Sequence, residues 1–331
     1  MENVKVKVNP TFHAQLKGNS KWNGGTSERY LEYRRKWEEN PPKFIVEDAP
    51  IHLDIETSSI CNLKCPMCCV TIEAQKEDGG TIAKGIMSWE TYTKIIDEAA
   101  EIGVYSVKLN WRGEPTINKL LPQMIKYAKD KGIIDVMINT NGVLMDEEYT
   151  KKIIDAGVDK VFFSFDSIKP DKYEKIRVGA KFDDVVRNIK YFAEYNEKKG
   201  HPVYTRVQKV LMNDTEDENQ DFINFFSDIV DQVAFEDYYP YGDLEYGKKV
   251  ESCEKIQFAC SQLWQRMLIT FDGECRVCCR SGVELFSVGN ISNRTIKEVW
   301  NGKEMTEMRH KHQSGCWYDV ELCKNCYIPY M

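Results

Sequence analysis

Cys61-Asn62-Leu63-Lys64-Cys65-Pro66-Met67-Cys68 decides how this chain is read, and it comes just after a strand-like run, residues 51–56. Cysteines spaced by four and then three residues put three thiolates on one loop. Such a set holds three irons of a [4Fe–4S] cluster and leaves the fourth iron open to a small molecule. Zinc is the competing reading, because two to four residues between cysteines also begin many zinc sites, although a structural zinc takes four protein ligands. The setting favours iron–sulfur. The loop opens a long β/α series, and catalytic loops lie at the ends of such strands.

The 331 residues allow one large domain or two unequal ones. Net charge is −7 and the basic residues do not cluster, so no electrostatic footprint for nucleic acid is present. No apolar run approaches the length of a membrane span. The stretch from Met1 to Lys7 has no signal-peptide core. A cytoplasmic protein with no nucleic-acid or membrane partner is expected. Twelve cysteines in such a chain read as metal ligands or redox groups, not as a disulfide frame. They fall into two groups, Cys61 to Cys69 and Cys253 to Cys326, which suggests two metal-binding regions.

Residues 1–50 read as an N-terminal extension. In it a helix over 26–40 carries Tyr30, Tyr33 and Trp37 on one face, a packing stripe, and is ended by Pro41-Pro42. Strands are predicted over 51–56, 104–112, 135–140, 160–166, 203–211 and 232–239. Helices are predicted over 88–102, 119–131, 146–156, 182–199 and 216–229. Gly103, Gly132, Gly157 and Gly200 follow four of them, where a left-handed residue closes a helix, and Asp146 suits an N-cap. A full barrel needs about 31 residues per β/α unit, so residues 51–240 hold about six units. The expected fold is α/β, a partial (β/α)6 TIM-like barrel with a small C-terminal cysteine-rich α+β domain over 253–331. A doubly wound sheet fits the alternation nearly as well. Residues 240–252 read as a linker.

At the cysteine loop the chain resembles the radical S-adenosylmethionine (SAM) superfamily, which carries Cys-x3-Cys-x2-Cys after the first strand of a partial barrel. The resemblance implies that Cys61, Cys65 and Cys68 ligate a SAM-binding [4Fe–4S] cluster. It also implies that reductive cleavage of SAM yields a 5′-deoxyadenosyl radical, with an external electron donor such as flavodoxin or ferredoxin. Met67, where the family often has an aromatic residue, can pack against adenine. Trp111-Arg112-Gly113-Glu114-Pro115 resembles the family's Gly-Gly-Glu-Pro segment, with Arg112 in place of the first glycine. There Gly113 permits close backbone approach and Glu114 can accept from the amino group of SAM. Asn139-Thr140-Asn141-Gly142 and Phe163-Ser164-Phe165-Asp166 resemble the family's third and fourth strand ends. Ser164 is then a candidate for the ribose, and Arg206 and Gln208 for the SAM carboxylate or ribose. The period-two rule puts Lys108, Asn110 and Arg112 on one face, and likewise Asn139 with Asn141, Ser164 with Asp166, and Arg206 with Gln208. An apolar interior does not hold that many polar groups without partners. Of the five histidines only His52 lies near a motif, and it reads as structural.

Towards the C-terminus, Cys260 precedes a strand over 266–271, an Asp272-Gly273 hairpin turn and Cys278-Cys279; a helix from Thr295 to about His310 and Cys323-x2-Cys326 follow. Two Cys-x2-Cys pairs, at 275/278 and 323/326, keep a zinc ribbon open. The region also resembles the SPASM/twitch extension of radical SAM enzymes. That implies Cys260, Cys278, Cys323 and Cys326 as ligands of one auxiliary [4Fe–4S] cluster, with Cys279 able to replace Cys278. Cys253, Cys275, Cys279 and Cys316 remain as spare thiols. Cys279 is the candidate hydrogen-atom donor for an epimerisation, set against its reading as a small buried side chain.

The function expected is hydrogen-atom abstraction from a small sugar-like substrate, a carbohydrate or cyclitol, giving dehydrogenation or epimerisation. Residues 236–239 are possible substrate contacts by position. The alternative is a maturase for a ribosomally made peptide, against which counts an N-terminal extension too short for a peptide-recognition domain. A zinc-binding scaffold is the third reading.

Overall fold

The computed structural model describes residues 7–8, 13–16, 22, 24–78, 80–212, 218–238, 258–278, 286–323 and 326. Two short strands, β1 (Lys7–Val8) and β2 (His13–Leu16), precede helix α1 (Glu28–Lys43). Six strands then pair in the order of the chain, every pair parallel: β3 (His52–Ile55), β4 (Ser106–Lys108), β5 (Asp135–Thr140), β6 (Lys160–Ser164), β7 (Tyr204–Leu211) and β8 (Gln232–Asp237). Between them run α2 (Cys69–Ala74), α3 (Trp89–Glu101), α4 (Leu121–Asp130), α5 (Glu147–Asp155), α6 (Pro170–Ile176), α7 (Phe182–Lys198) and α8 (Asn219–Phe226). A doubly wound sheet reverses its strand order partway along. Here the order never reverses, which leaves the partial barrel.

The period of two explains which face is which. Val107, Leu109, Val136, Ile138, Val161, Phe163 and Val207 alternate along the strands and are buried in one core with Ile95, Met124, Ile153 and Phe192 of the helices. The other parity carries the polar residues into the barrel. At the base, His52 Nδ1 lies 3.0 Å from Ser106 Oγ, and Lys160 Nζ donates to Asp135 Oδ2 at 2.6 Å. Arg266 pairs with Asp54 at 3.3 Å. Burial raises the Asp54 pKa, but Arg266 and His52 outweigh it and hold the carboxyl well below its usual range.

Helix α1 closes this lower end. Tyr33 stacks on Tyr105 and Trp37 meets His52 edge-on, so the aromatic stripe is packing. The helix does not stop at Pro41-Pro42: both prolines lie inside its last turn. A proline inside a helix removes the hydrogen bond to the carbonyl four residues back and crowds that carbonyl with its ring. For Pro41 that carbonyl belongs to Trp37, and Gln265 Nε2 donates to it instead at 2.5 Å. Phe44, at φ 53°, closes the helix. The four inter-helix glycines take φ of 82–88°, and Asp146 caps α5 by accepting from Tyr149 N at 2.8 Å.

The C-terminal region comprises β9 (Phe258–Ala259), α9 (Gln262–Gln265), β10 (Arg266–Ile269), β11 (Glu274–Arg276), β12 (Gly289–Asn290), α10 (Ile296–Trp300) and α11 (Lys303–Gln313). The helix expected from Thr295 to His310 is two helices, divided at Asn301-Gly302. More consequential, β10 pairs in parallel with β3, and β11 and β12 extend the sheet further. The hairpin therefore continues the barrel's own sheet, and β2 covers the opposite edge by antiparallel pairing with β8. Both edges of the six-stranded sheet are covered, and the short strands β12 and β2 become the edges of the ten-stranded sheet. The linker over 240–252 lies outside the described residues.

Candidate functional site

The cysteine loop leaves the end of β3 and runs into α2. Cys61 and Cys68 are half-buried and Cys65 is buried. Each sulfur meets donors. Leu63 N approaches Cys61 Sγ at 3.4 Å and Asn141 Nδ2 at 3.9 Å. Arg177 Nη1 approaches Cys65 Sγ at 4.0 Å. Cys69 and the backbone N–H groups of Val70 and Thr71 face Cys68, and with Cys69 as the main cause the Cys68 thiol is lowered to about 6, against the effect of burial. Burial pushes Cys61 up to about 12. It also raises Cys65, with Arg177 working against it. Among the described residues no three His, Cys, Asp or Glu side chains crowd as closely as a single metal ion requires; the three thiols stand within electrostatic reach of one another. Three thiols on one loop, each met by a donor that favours a thiolate, suit an iron–sulfur cluster, whose ligands must be deprotonated.

Around this loop the strand ends converge. Gly113 has φ +62°, and a Cβ there would stand 2.5 Å from Ser58 O and 2.7 Å from Ile60 O, so the turn packs directly on the backbone leading to Cys61. Glu114 is buried. Its Oε1 accepts from Thr116 N, Thr116 Oγ1 and Thr140 Oγ1, and its Oε2 accepts from Asn141 N at 2.8 Å. Burial raises its pKa and those donors only partly offset that. In this structure Glu114 is first a clamp that joins the β4 and β5 loops, with capacity left on Oε2. Asn141 Nδ2 in turn donates to Asn62 Oδ1 at 2.8 Å, tying the β5 end to the cysteine loop.

Asn139 Oδ1 is buried without a hydrogen-bond partner. Ser164, opposite Gln208 in register, makes no side-chain hydrogen bond among the described residues. Arg206 lies over the Phe162 ring at 3.8 Å and donates to Gln208 Oε1 at 2.5 Å. Burial lowers its pKa, and Glu236 works against that. Met67 packs against an apolar group of Ile176, Met212 and Tyr238. So Met67, Gly113, Glu114, Ser164 and Gln208 lie towards the strand ends, while Asn139 and Arg206 lie one step lower in the barrel, both in register with Phe162.

Several partners were not foreseen from sequence. Arg112, which stands where the family has a glycine, makes a bidentate pair with buried Glu56, Nε–Oε1 2.8 Å and Nη2–Oε2 3.0 Å. Its guanidinium lies over Trp111 at 4.1 Å, and Arg276 of β11 lies over the same ring at 5.6 Å. Asp166 does not face a ligand: its Oδ2 accepts from Arg177 Nε at 2.6 Å and its Oδ1 from Val210 N at 3.0 Å. Asp166 thereby aims Arg177 at Cys65. Period-two parity flagged Asp166 and Arg112, but their charged partners, Arg177 and Glu56, lie just beyond the ends of α6 and β3, where no period reaches.

In the C-terminal region burial raises the Cys323 pKa, and the neighbouring Cys260 and Cys326 push it further, so these three thiols share one place. Cys278 is half-buried two residues beyond β11. Trp300 Nε1 donates to Glu47 O at 2.8 Å and anchors α10 to the segment before β3. Cys253, Cys279 and Tyr239 lie outside the described residues, as does the side chain of Asp237.

Gly113→Ala is expected to strain the loop twice, by its positive φ and by the Ser58 contact. The backbone term alone costs about 1–3 kcal/mol. Iron content and SAM cleavage should both fall while the barrel's far-UV circular dichroism is kept. Wild-type iron loading in this variant would remove the close packing from the argument.

This assembly, a three-thiol loop at the mouth of a six-stranded parallel barrel with a second cysteine group on its flank, defines a class. A sequence profile described as the radical SAM superfamily matches residues 55–226, and one described as an iron–sulfur cluster-binding domain, SPASM, matches residues 260–327. The chain belongs to the radical SAM superfamily and carries a C-terminal SPASM domain. Its cofactors are iron–sulfur clusters and SAM. Curated relatives include a probable GTP 3′,8-cyclase of Methanococcus maripaludis, 38% identical over 129 residues, covering 39% of this chain and 41% of that protein. A GTP 3′,8-cyclase of Desulforamulus reducens is 32% identical, covering 58% and 56%. The chain thus spans about half the length of the curated relatives it matches. Among solved structures it is similar to BtrN in complex with AdoMet and 2-DOIA, with TM-score 0.56, 16% identity, and 85% and 94% of the two chains covered. It is also similar to Streptococcus suis SuiB bound to its precursor peptide SuiA, with TM-score 0.64, 16% identity, and 95% and 81% covered. Identities this low report the fold. No helix among the described residues is long and apolar enough to cross a membrane.

Proposed function

We propose that this enzyme takes a hydrogen atom from a carbon of a carbohydrate or cyclitol, and that the reaction ends in dehydrogenation or epimerisation. The observation that carries the reading is the set of unsatisfied polar groups facing the barrel beside the cysteine loop. Asn139 Oδ1 is buried without a partner, and neither the Ser164 hydroxyl nor the Lys108 ammonium makes a hydrogen bond or ion pair among the described residues. A buried polar atom without a partner, as Asn139 Oδ1 is, is costly; Ser164 and Lys108 are half-buried. A cofactor and a hydroxyl-rich substrate bound there would supply the missing bonds.

Cys61, Cys65 and Cys68 would hold the SAM-binding cluster, and Cys260, Cys278, Cys323 and Cys326 the auxiliary one. When bound, cluster and SAM supply a carbon radical able to remove a hydrogen atom, while the protein orients and shields it. Gly113 lets the backbone approach and Glu114 fixes the two loops beside it. Met67, Ile176, Met212 and Tyr238 offer an apolar wall for adenine. Arg206, Gln208, Asn139 and Ser164 offer donors and acceptors to the cofactor's carboxylate and ribose. The relatives' name refers to the 3′ position of GTP, a sugar carbon, so GTP belongs among the substrates tried. SuiB's peptide stays with SuiB, because the likeness is one of fold.

Anaerobic protein is given SAM, dithionite and a panel of nucleotide sugars, cyclitols and GTP, deuterated at carbon. Deuterium should enter 5′-deoxyadenosine. Solvent deuterium in the product carbon marks epimerisation, and Cys279→Ala should then stall the reaction while sparing a dehydrogenation. Label transfer from a ribosomal peptide, with none from any sugar or cyclitol, would overturn the reading.

A further inference from the structure

Along β4, β5 and β6 the barrel is filled less tightly inside than outside. Val107, Leu109, Val136, Ile138 and Phe163, which face the helices, are at most 1% exposed. Lys108, Met137, Asn139 and Ser164 alternate with them and face the barrel, and all four are only half-buried. A closed barrel of this type fills its interior with side chains. This one keeps a chamber below the cysteine loop.

Strand register gives the levels in that chamber. Lys108 pairs with Asp54 on one side and Met137 on the other. Asn139, Phe162 and Arg206 stand one inward step higher, and Ser164 and Gln208 two. Two such steps cover about 13 Å of strand. A ligand anchored at the cysteine loop therefore reaches Ser164 and Gln208 first, and a group that meets Lys108 lies deeper.

Charge sets Lys108 apart. Arg266 has Asp54 at 3.3 Å, Lys160 has Asp135 at 2.6 Å, Arg112 has Glu56 at 2.8 Å and Arg177 has Asp166 at 2.6 Å. Arg206 feels the opposite charge of Glu236. Lys108 makes no ion pair or hydrogen bond among the described residues. Asp54 is within its electrostatic reach, but both oxygens of that carboxylate are already engaged, Oδ1 with His52 at 3.5 Å and Oδ2 with Arg266. One positive charge is thus left over in the chamber. One level above it, Asn139 Oδ1 is a buried acceptor without a donor. An ammonium on a four-carbon stem has three donors and takes phosphate or carboxylate oxygens as a point charge.

Building on the hydrogen-abstraction reading above and resting on it, we propose that Lys108 determines specificity and that the substrate is acidic: a sugar or cyclitol whose carboxylate or phosphate ester meets the Lys108 ammonium while one of its hydroxyls donates to Asn139 Oδ1. The anion belongs to the substrate and not to SAM, because Lys108 lies two levels below the residues that a ligand at the cysteine loop meets first.

The anaerobic, SAM-loaded holoenzyme is titrated calorimetrically with matched pairs: glucuronate against glucose, inositol monophosphate against inositol, and uridine diphosphate glucose against methyl glucoside. Each compound, deuterated at carbon, is then tried for label transfer to 5′-deoxyadenosine. At least one acid should bind about tenfold or more tighter than its neutral partner, as a charge-assisted hydrogen bond allows. Lys108→Met should erase that difference, and Lys108→Arg should keep most of it. Equal affinity within every pair, with label taken from a neutral sugar, would keep hydrogen abstraction from a sugar and end the acidic substrate. A preference for acids that survives Lys108→Met would put the anion elsewhere and overturn the proposal too. Weakened SAM binding in Lys108→Met, with the preference intact, would give the ammonium to the cofactor's carboxylate. Label from a ribosomal peptide and from no sugar or cyclitol would instead sink the reading on which the proposal rests.

Discussion

Cys65→Ala should leave the protein with about four irons per chain in place of about eight, and with no 5′-deoxyadenosine formation from SAM and dithionite. Cys65 is the most buried of the three loop thiols, at 6% exposure, and it is the one that Arg177 faces. Alanine there removes a ligand and leaves a guanidinium, already held by Asp166, beside an apolar methyl group. A [4Fe–4S] cluster reduced to two cysteine ligands would have to draw on Cys69, which faces Cys68 from the first turn of α2. The companion variant, Cys323→Ala, should also drop to about four irons, because its thiol belongs to the other group. It should nonetheless keep SAM cleavage in the absence of substrate. The contrast is the measurement: similar iron loss, opposite effects on 5′-deoxyadenosine. Zinc in place of iron, or Cys65→Ala protein that still cleaves SAM, would end the assignment of the loop.

The frame of the molecule was legible because strands and helices announce themselves by period. Val107, Leu109, Val136 and Ile138 alternate and are buried on one face, and the helices between them end at glycines with φ near +85°. The cysteine spacing then chose the barrel over the doubly wound sheet. What escaped is what has no period. Strand β10 lies some two hundred residues from β3, and nothing in either run says that they pair. Pro41 and Pro42 looked like a stop because proline lacks an N–H. The bond that Pro41 forgoes is replaced by Gln265, a residue that only the tertiary fold brings near. Arg112 read as a blemish in a glycine pair, yet it carries the best-defined ion pair at the site. Asp166 read only as sharing a face with Ser164 and proved to be the partner that aims Arg177. The residues that hold the cysteine loop and the strand ends in place were invisible without coordinates.

Glu56→Ala should be among the most destabilising single changes in the barrel, about 3–5 kcal/mol, because it removes the carboxylate that makes the bidentate pair with the buried Arg112 guanidinium. The side chains of both residues are 4% exposed or less, so solvent cannot take over. Attraction between buried charges offsets only the cost of dehydrating them, and the pair as a whole need not stabilise the fold. Replacing both, as Glu56→Leu with Arg112→Met, should therefore recover most of the loss in thermal or denaturant unfolding. Stability and function then part company. The Arg112 guanidinium lies over Trp111, and Arg276 of the β10–β11 hairpin lies over the same ring, so the pair helps seat the hairpin that leads to Cys278. The double variant, though refolded to near wild-type stability, should lose auxiliary iron more readily on dilution or chelation while the SAM-cleaving cluster persists. A double variant as unstable as Glu56→Ala would mean that shape, not the lost ion pair, sets the cost. One that keeps both clusters as firmly as wild type would mean that the Trp111 stack has no part in seating the hairpin.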